Sequence, residues 1–326
     1  MPVWKFTAVE PGQGVSFPSY FGVMADQPDL AAGSTFMRYS GLESIVERYT
    51  GTGIGVSGSG NGTTVTGGLV SALEVRHDGD VIVSASDLSV SAKAIFNRIE
   101  QTDDFGLAKL LLDGNDTIRA SNKSDELYGF GDDDVIFGGG GADLLFGGRQ
   151  NDRLFGGKGA DNLIGQAGSD RLYGGSDDDN LYGAAGNDSF YGGSGSDNMS
   201  GNDGDDLFSG GAGIDRINGG AGEDRFLFNT APAGDNTDLL FEFSADDDRF
   251  VLDQDAFAGI GGTGALGGAR FRLGTNATDG SDRIIYDAAT GNVWYDKDGD
   301  GAVGKELLAV LDTPVALTAG NFSIIG

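Results

Sequence analysis

The sequence predicts an all-β-dominated chain built around a parallel β-roll, and three observations carry that prediction. Glycine is abundant and falls at a fixed spacing, with 59 glycines against 6 prolines in 326 residues. Aspartates recur every nine residues through the middle third, and each is followed two places later by an apolar residue. A fixed period of this kind marks a repeat architecture rather than a flexible linker.

The aspartate column runs Asp116, Asp125, Asp134, Asp143, Asp152, Asp161, Asp170, Asp179, Asp188, Asp197, Asp206, Asp215 and Asp224, without insertion or deletion. The apolar column beside it is Ile118, Leu127, Ile136, Leu145, Leu154, Leu163, Leu172, Leu181, Phe190, Met199, Phe208, Ile217 and Phe226. From Gly129 to Gly219 every unit opens with glycine. Positions seven to nine of a unit read as one short strand whose middle side chain points inward and whose neighbours point outward. Positions one to six must turn the chain, and glycine suits the turn because it reaches positive φ without steric penalty. Two units then close one 18-residue coil, so that each unit stacks on the next but one.

A unit such as Gly138-Gly139-Gly140-Gly141-Ala142-Asp143-Leu144-Leu145-Phe146 resembles the G-G-x-G-x-D-x-U-x repeat of RTX proteins, the hemolysin-type calcium-binding family. The resemblance covers 117 residues, 111–227. It implies Ca²⁺ bound between stacked turns, with Asp116 paired to Asp134, Asp125 to Asp143 and so on to Asp206 with Asp224. It implies carbonyl ligands from the turn glycines Gly139, Gly141, Gly157, Gly159, Gly168, Gly186, Gly193, Gly195, Gly204, Gly211, Gly213 and Gly222. On this basis the expectation is roughly 7 to 11 ions.

Elementary energetics agree with a metal-dependent fold. One buried apolar side chain per nine residues is too little to offset a conformational entropy of ~1–2 kcal/mol per residue. Stacked aspartates at strand spacing also repel unless something neutralises them. A cage of carboxylates and carbonyls suits Ca²⁺ better than octahedral Mg²⁺. The chain has no cysteine, so disulfides and thiolate sites are excluded. A net charge of -29 disfavours nucleic acid and anionic membranes as partners.

Four units depart from glycine at position four (Lys123, Asp132, Gln150, Asp177), and others carry Phe130, Gln166, Ala184 or Asn202 at position two. Lys123 in particular is expected to weaken the sites pairing Asp116 with Asp134 and Asp125 with Asp143. The ninth position carries Tyr128, Phe137, Phe146, Phe155, Ile164, Tyr173, Tyr182 and Tyr191, which reads as an outward aromatic ladder or as a docking face.

The flanks divide the chain into an N-terminal β-rich domain (1–110), the roll (111–227) and a C-terminal cap (228–326). Short apolar runs such as Leu69 to Val75 and Val81 to Val83 predict N-terminal strands, and helical spacing from Ser91 to Leu112 predicts short helices that cap the roll. The one histidine, His77, lies in a polar turn, and the H-E-x-x-H and G-x-S-x-G motifs are absent, so no catalytic residue is assigned. The segment after the repeats is similar to the region that carries an uncleaved type I export signal in many RTX proteins. The opening MPVWKFTAVEPGQG lacks a basic stretch followed by an apolar run, and no 18-residue apolar segment occurs. Within the cap, Asp296, Asp298 and Asp300 begin a D-x-D-x-D-G loop like that of an EF-hand, but Leu307 stands where the closing Glu belongs.

The resulting expectation is a secreted or cell-surface calcium-binding protein that folds on meeting extracellular Ca²⁺. Its partners are calcium ions, a type I secretion apparatus and a surface or matrix component. A structural or adhesive role is favoured; an exoenzyme or toxin with an unrecognised N-terminal site is the alternative.

Overall fold

The computed structural model describes the backbone of residues 34–40, 45–57, 64–77 and 80–91, and residues 114–326 apart from 121, 123, 231, 233–235 and 300–303. The helices expected between Ser91 and Leu112 fall almost wholly outside the described residues, as do Lys123 and Asp300.

Nonapeptides stack in the predicted 18-residue period. Leu172 pairs with Leu154 below it and Phe190 above it in one parallel sheet. Leu163 pairs with Leu145 and Leu181 in the facing sheet. Alternate units therefore feed opposite walls of a flat solenoid, and the apolar column fills the space between them, each member 0–6% exposed. Near the C-terminal end this filling becomes aromatic, with Phe190, Phe208 and Phe226 stacked at centroid distances of 4.6 and 5.5 Å.

The strands are longer than the spacing predicted. Val135–Gly140 and Arg153–Lys158, for example, run six residues, from position seven through position three of the following unit. Gly139 pairs with Gly157, and Gly157 with Gly175, so the ladder continues into what the sequence marks as turn. The reason is that identical backbones stacked in register can hydrogen-bond wherever no side chain keeps them apart.

The departures from glycine do not change the path of the chain. Phe130, Asp132, Gln150, Gln166, Asp177, Ala184 and Asn202 all hold φ between 66° and 86°. Neighbouring coils impose that conformation, at a cost of roughly 1–2 kcal/mol per residue for a side chain that disfavours it.

Both ends of the roll are extended. Asp80–Ser91, the last of four antiparallel N-terminal strands, pairs antiparallel with Thr117–Arg119 and so covers the edge of the first coil. At the other end the solenoid continues past the repeats. Asp238–Phe241 stacks parallel on Arg216–Ala221, and Arg249–Asp253 on Arg225–Phe228. Glu306–Leu311 and Phe322–Ile325 then add one further parallel strand to each wall. Beside Glu306–Leu311, Asn292–Tyr295 and Ile284–Asp287 add an antiparallel hairpin turned by Gly291 at φ 77°, and Phe271–Leu273 pairs parallel with Ile284–Asp287 as the last strand of that wall.

Candidate metal centre

Every repeat aspartate is placed by the same two forces. The strand after it is pinned by its inward apolar residue, and from Asp134 on the turn before it is fixed by positive-φ residues at positions two and four, most of them glycine. All twelve predicted glycine ligands, from Gly139 to Gly222, have φ between 98° and 141°. The aspartates thus line up in two columns, one along each edge of the roll.

Within a column, each carboxylate reaches back to the coil before it. The backbone N–H of Asp116 donates to Asp134 Oδ1 at 2.7 Å, that of Asp125 to Asp143 at 2.8 Å, and that of Asp170 to Asp188 at 2.7 Å. The same bond, at 2.7–3.0 Å, joins every other pair the resemblance implied, up to Asp206 with Asp224. The predicted pairing of turns is therefore present in the geometry. Asp125 is half-buried, while the other twelve aspartates are buried.

The second carboxylate oxygen behaves differently. Oδ2 of Asp134, Asp143, Asp152, Asp161, Asp170, Asp179, Asp188, Asp197, Asp206, Asp215 and Asp224 is buried and has no hydrogen-bond partner. An unsatisfied buried carboxylate oxygen costs several kcal/mol, and a column of them requires a counter-charge. Each Oδ2 presses on the first glycine of its own unit. A side chain on Gly129, Gly138 or Gly174 would overlap Asp134, Asp143 or Asp179 Oδ2 respectively. It would also meet the carbonyl of Gly147, Gly156 or Gly192 on the next coil at 2.5–2.8 Å. The first glycine is thus required because its missing Cβ leaves a cradle lined by a carboxylate oxygen and a carbonyl oxygen from consecutive coils.

Electrostatics follow from this burial. Loss of hydration is the leading cause at each site; the backbone N–H bond opposes it, and at most sites neighbouring aspartates add to the rise. The carboxyls of Asp161, Asp170 and Asp224 are pushed up to about 6, those of Asp152, Asp179, Asp188 and Asp197 to about 7, and those of Asp134 and Asp206 to about 8. Those of Asp143 and Asp215 are raised as well. Among the described residues no three or more His, Cys, Asp or Glu side chains gather at one point. A metal between turns would therefore be held by few carboxylates and several backbone carbonyls. That donor set of hard oxygens suits Ca²⁺, which takes 6–8 oxygen ligands in flexible geometry.

Two ladders escaped the sequence reading. Side chains at position five accept backbone N–H groups from the next coil, as Asn151 Oδ1 does from Ser169 at 2.7 Å and Asp178 Oδ1 from Ser196 at 2.7 Å. The signal was an Asn, Asp and Ser bias just before each aspartate. The aspartate columns also continue beyond the repeats: Asp215 N–H donates to Asp238 at 3.2 Å and Asp224 N–H to Asp248 at 3.0 Å. Their spacings of 23 and 24 residues break the nine-residue register. The local D-x-U pattern in Asp238-Leu239-Leu240 and Asp248-Arg249-Phe250 was the signal that could have found them.

In the D-x-D-x-D-G loop, Asp296 is fully buried; its Oδ1 accepts the Gly299 N–H at 2.8 Å and its Oδ2 has no partner. Burial and the Asp298 carboxyl beside it raise its pKa. Leu307 lies in a strand and Glu306 is exposed, so no described carboxylate closes the loop at its twelfth place.

On the outer face the ninth-position rings form the predicted ladder. Phe137, Phe155, Tyr173 and Tyr191 stack at 4.8, 4.6 and 4.7 Å in one sheet, and Tyr128 stacks on Phe146 at 4.7 Å in the other.

A parallel β-roll with buried aspartate columns along its edges defines a class of calcium-binding solenoids. Comparison places the chain within it: a model of the RTX calcium-binding nonapeptide repeat matches residues 112–145, 138–172, 164–199, 173–207 and 200–229. That stretch carries RTX calcium-binding nonapeptide repeats. No curated protein matches the sequence with significance. Among solved structures, the AlgE6R3 subunit of the mannuronan C5-epimerase of Azotobacter vinelandii is 28% identical; the match covers 45% of this chain and 77% of that one at a TM-score of 0.32. The extracellular lipase LipA of Serratia marcescens is 15% identical, with 60% of this chain and 40% of the lipase covered at a TM-score of 0.22. Among the described residues no helix is long and apolar enough to cross a membrane.

Proposed function

We propose that this RTX-repeat protein is exported, folds on extracellular Ca²⁺ and acts as a structural or adhesive element of the cell surface or matrix, without catalytic activity. The observation that supports the reading best is the column of buried Oδ2 atoms without partners. In calcium-poor surroundings those carboxylates repel and the chain stays open, a form suited to threading through a type I exporter. Outside, bound Ca²⁺ supplies the counter-charge, and binding free energy becomes folding free energy.

The residues divide the work. Asp134 to Asp224 provide one charged oxygen per turn, and the turn glycines direct carbonyls toward the same points. The apolar column fixes the register that brings successive aspartates together. Roughly 7 to 11 ions fill the nonapeptide turns, at affinities near 10⁻⁴–10⁻³ M, the range of extracellular modules. Asp296 and Asp298, with Asp300, form an additional calcium loop in the cap.

The role is tested on intact producing cells. Calcium-loaded protein added to them sediments with the cells and returns to the supernatant on addition of a calcium chelator. Protein that never sediments contradicts the surface role. Hydrolysis of ester, peptide or glycosidic test substrates by residues 1–110 overturns the non-catalytic reading.

A further inference from the structure

Along one wall of the roll the outward ring ladder is interrupted. Tyr182, Ser200, Asn218 and Phe241 follow one another in register, so two rungs lack a ring and the bounding rings stand three strand steps, about 14 Å, apart. On the facing wall the ladder ends at Tyr191, and the serine after it, Ser209, is buried at 5% exposure. Ser200 and Asn218 are instead half-buried, and they line an open cavity of about 340 Å³.

The groove is polar and is built where repeats meet cap. Asn218 Oδ1 is buried with no hydrogen-bond partner. The terminal torsion of an amide is broad, so it turns toward a donor at little cost. At one end the Arg216 guanidinium lies over the Phe241 ring at 4.6 Å, a stacking that leaves its N–H edges to donate. Glu242 and Asp312 stand beside it, and the Glu242 N–H donates to Asp312 Oδ1 at 3.2 Å. Glu242 is held at φ 57°, and among the described residues it is the one non-glycine at positive φ outside the repeats. Backbone strain of this kind gathers at ligand sites. At the other end Asn198, which also lines the cavity, donates to the Tyr182 hydroxyl at 3.4 Å.

We infer that this groove binds an uncharged sugar residue of a surface glycan. Its lining disfavours the other common ligand classes. One guanidinium against two carboxylates, on a chain of net charge -29, repels nucleotides and acidic polymers. The arginine opposes a bare cation, and polar walls give an apolar molecule nothing to bury against. A sugar ring brings several hydroxyls, each donor and acceptor at once. It can pair with Asn218, Arg216, Glu242 and Asp312 together, with the exposed Tyr182 ring at the edge for its C–H face. Asn198, Ser200, Arg216 and Asn218 come from the repeats, and Phe241, Glu242 and Asp312 from the segment after them, so binding requires the folded roll. The inference rests on the surface role proposed above, to which it assigns a ligand.

The test applies calcium-loaded full-length protein to an array of neutral hexose and N-acetylhexosamine oligosaccharides, with uronate and sulfated glycans beside them. Binding to neutral members is expected. The double variant Ser200→Tyr/Asn218→Tyr, which puts rings into the gap, is expected to weaken it about tenfold or more while still folding on Ca²⁺ by circular dichroism. Should that variant fail to fold, Asp312→Ala decides by the same loss. A parent that binds no neutral glycan, or only acidic ones, overturns the inference, as does undiminished binding by the folded variant. Sedimentation with producing cells separates the two readings. Protein that binds the neutral array but never sediments refutes the surface role and leaves the groove standing; protein that sediments yet binds no neutral glycan refutes the groove alone.

Discussion

Asp170 donates its backbone N–H to one oxygen of Asp188, 18 residues on, at 2.7 Å, while the other Asp188 oxygen lies buried with no hydrogen-bond partner. One carboxylate thus performs two tasks, stitching adjacent coils together and offering a charged ligand. Replacing Asp188 by Ala removes both. Such a change in mid-roll is expected to cost about 1–3 kcal/mol and to raise the calcium midpoint several-fold. A calcium titration followed by circular dichroism checks it; an unmoved midpoint would show that Asp188 is not a ligand.

Acidity should act on the metal-free roll in a direction opposite to ordinary acid denaturation. The repeat carboxyls titrate near about 3.9 in an unfolded chain, but burial holds those of Asp152, Asp188 and Asp197 near about 7 and that of Asp206 near about 8. A raised folded-state pKa means that the fold takes up protons, so its contribution to stability is complete below the unfolded value and is lost as pH rises through about 6 to 8. Chelated protein should therefore gain β structure between pH 8.5 and pH 5, and calcium binding at pH 7 should release protons. A flat pH profile in the absence of metal would contradict this.

Two neighbouring residues should respond to substitution with opposite signs. Ala at Gly165 would overlap the Asp170 carboxylate and is expected to destabilise the roll by more than about 2 kcal/mol. Gly at position 166 relieves a glutamine held at φ 80° and is expected to stabilise by about 1 kcal/mol. Thermal melts in excess Ca²⁺ separate the two; equal effects would mean that the cradle at the first glycine is not needed.

The outward ladder should contribute stability in proportion to stacking. Tyr173 lies between Phe155 and Tyr191 at 4.6 and 4.7 Å, whereas Tyr182 has Ile164 and Ser200 as its in-register neighbours. Tyr173→Ser is expected to cost about 1–2 kcal/mol and to raise the calcium midpoint, with a smaller effect for Tyr182→Ser. Matching shifts in the two variants would argue against stacking as the source.

The sequence made the roll legible because its signals are local and repeated. Leu154, Leu163 and Leu172 alternate between walls as their spacing requires, and the stacking of Asp152 beneath Asp170 follows from the same period. Strand length was not legible, since the pairing of Gly139 with Gly157 depends on coils brought together only by folding. Asp238 and Asp248 were missed because their insertions break the register by which the other thirteen were found. The demand for glycine at position one was visible, but its cause, an aspartate oxygen in the place of a Cβ, appears only in three dimensions.

The most direct test is the far-ultraviolet circular dichroism of purified, metal-stripped protein as Ca²⁺ or Mg²⁺ is added to millimolar concentration. A coil-to-β transition with Ca²⁺ and none with equal Mg²⁺ is predicted, together with a melting temperature that climbs with Ca²⁺ concentration. A stripped sample that already shows the full β signal and melts at the same temperature as the loaded one would contradict the account.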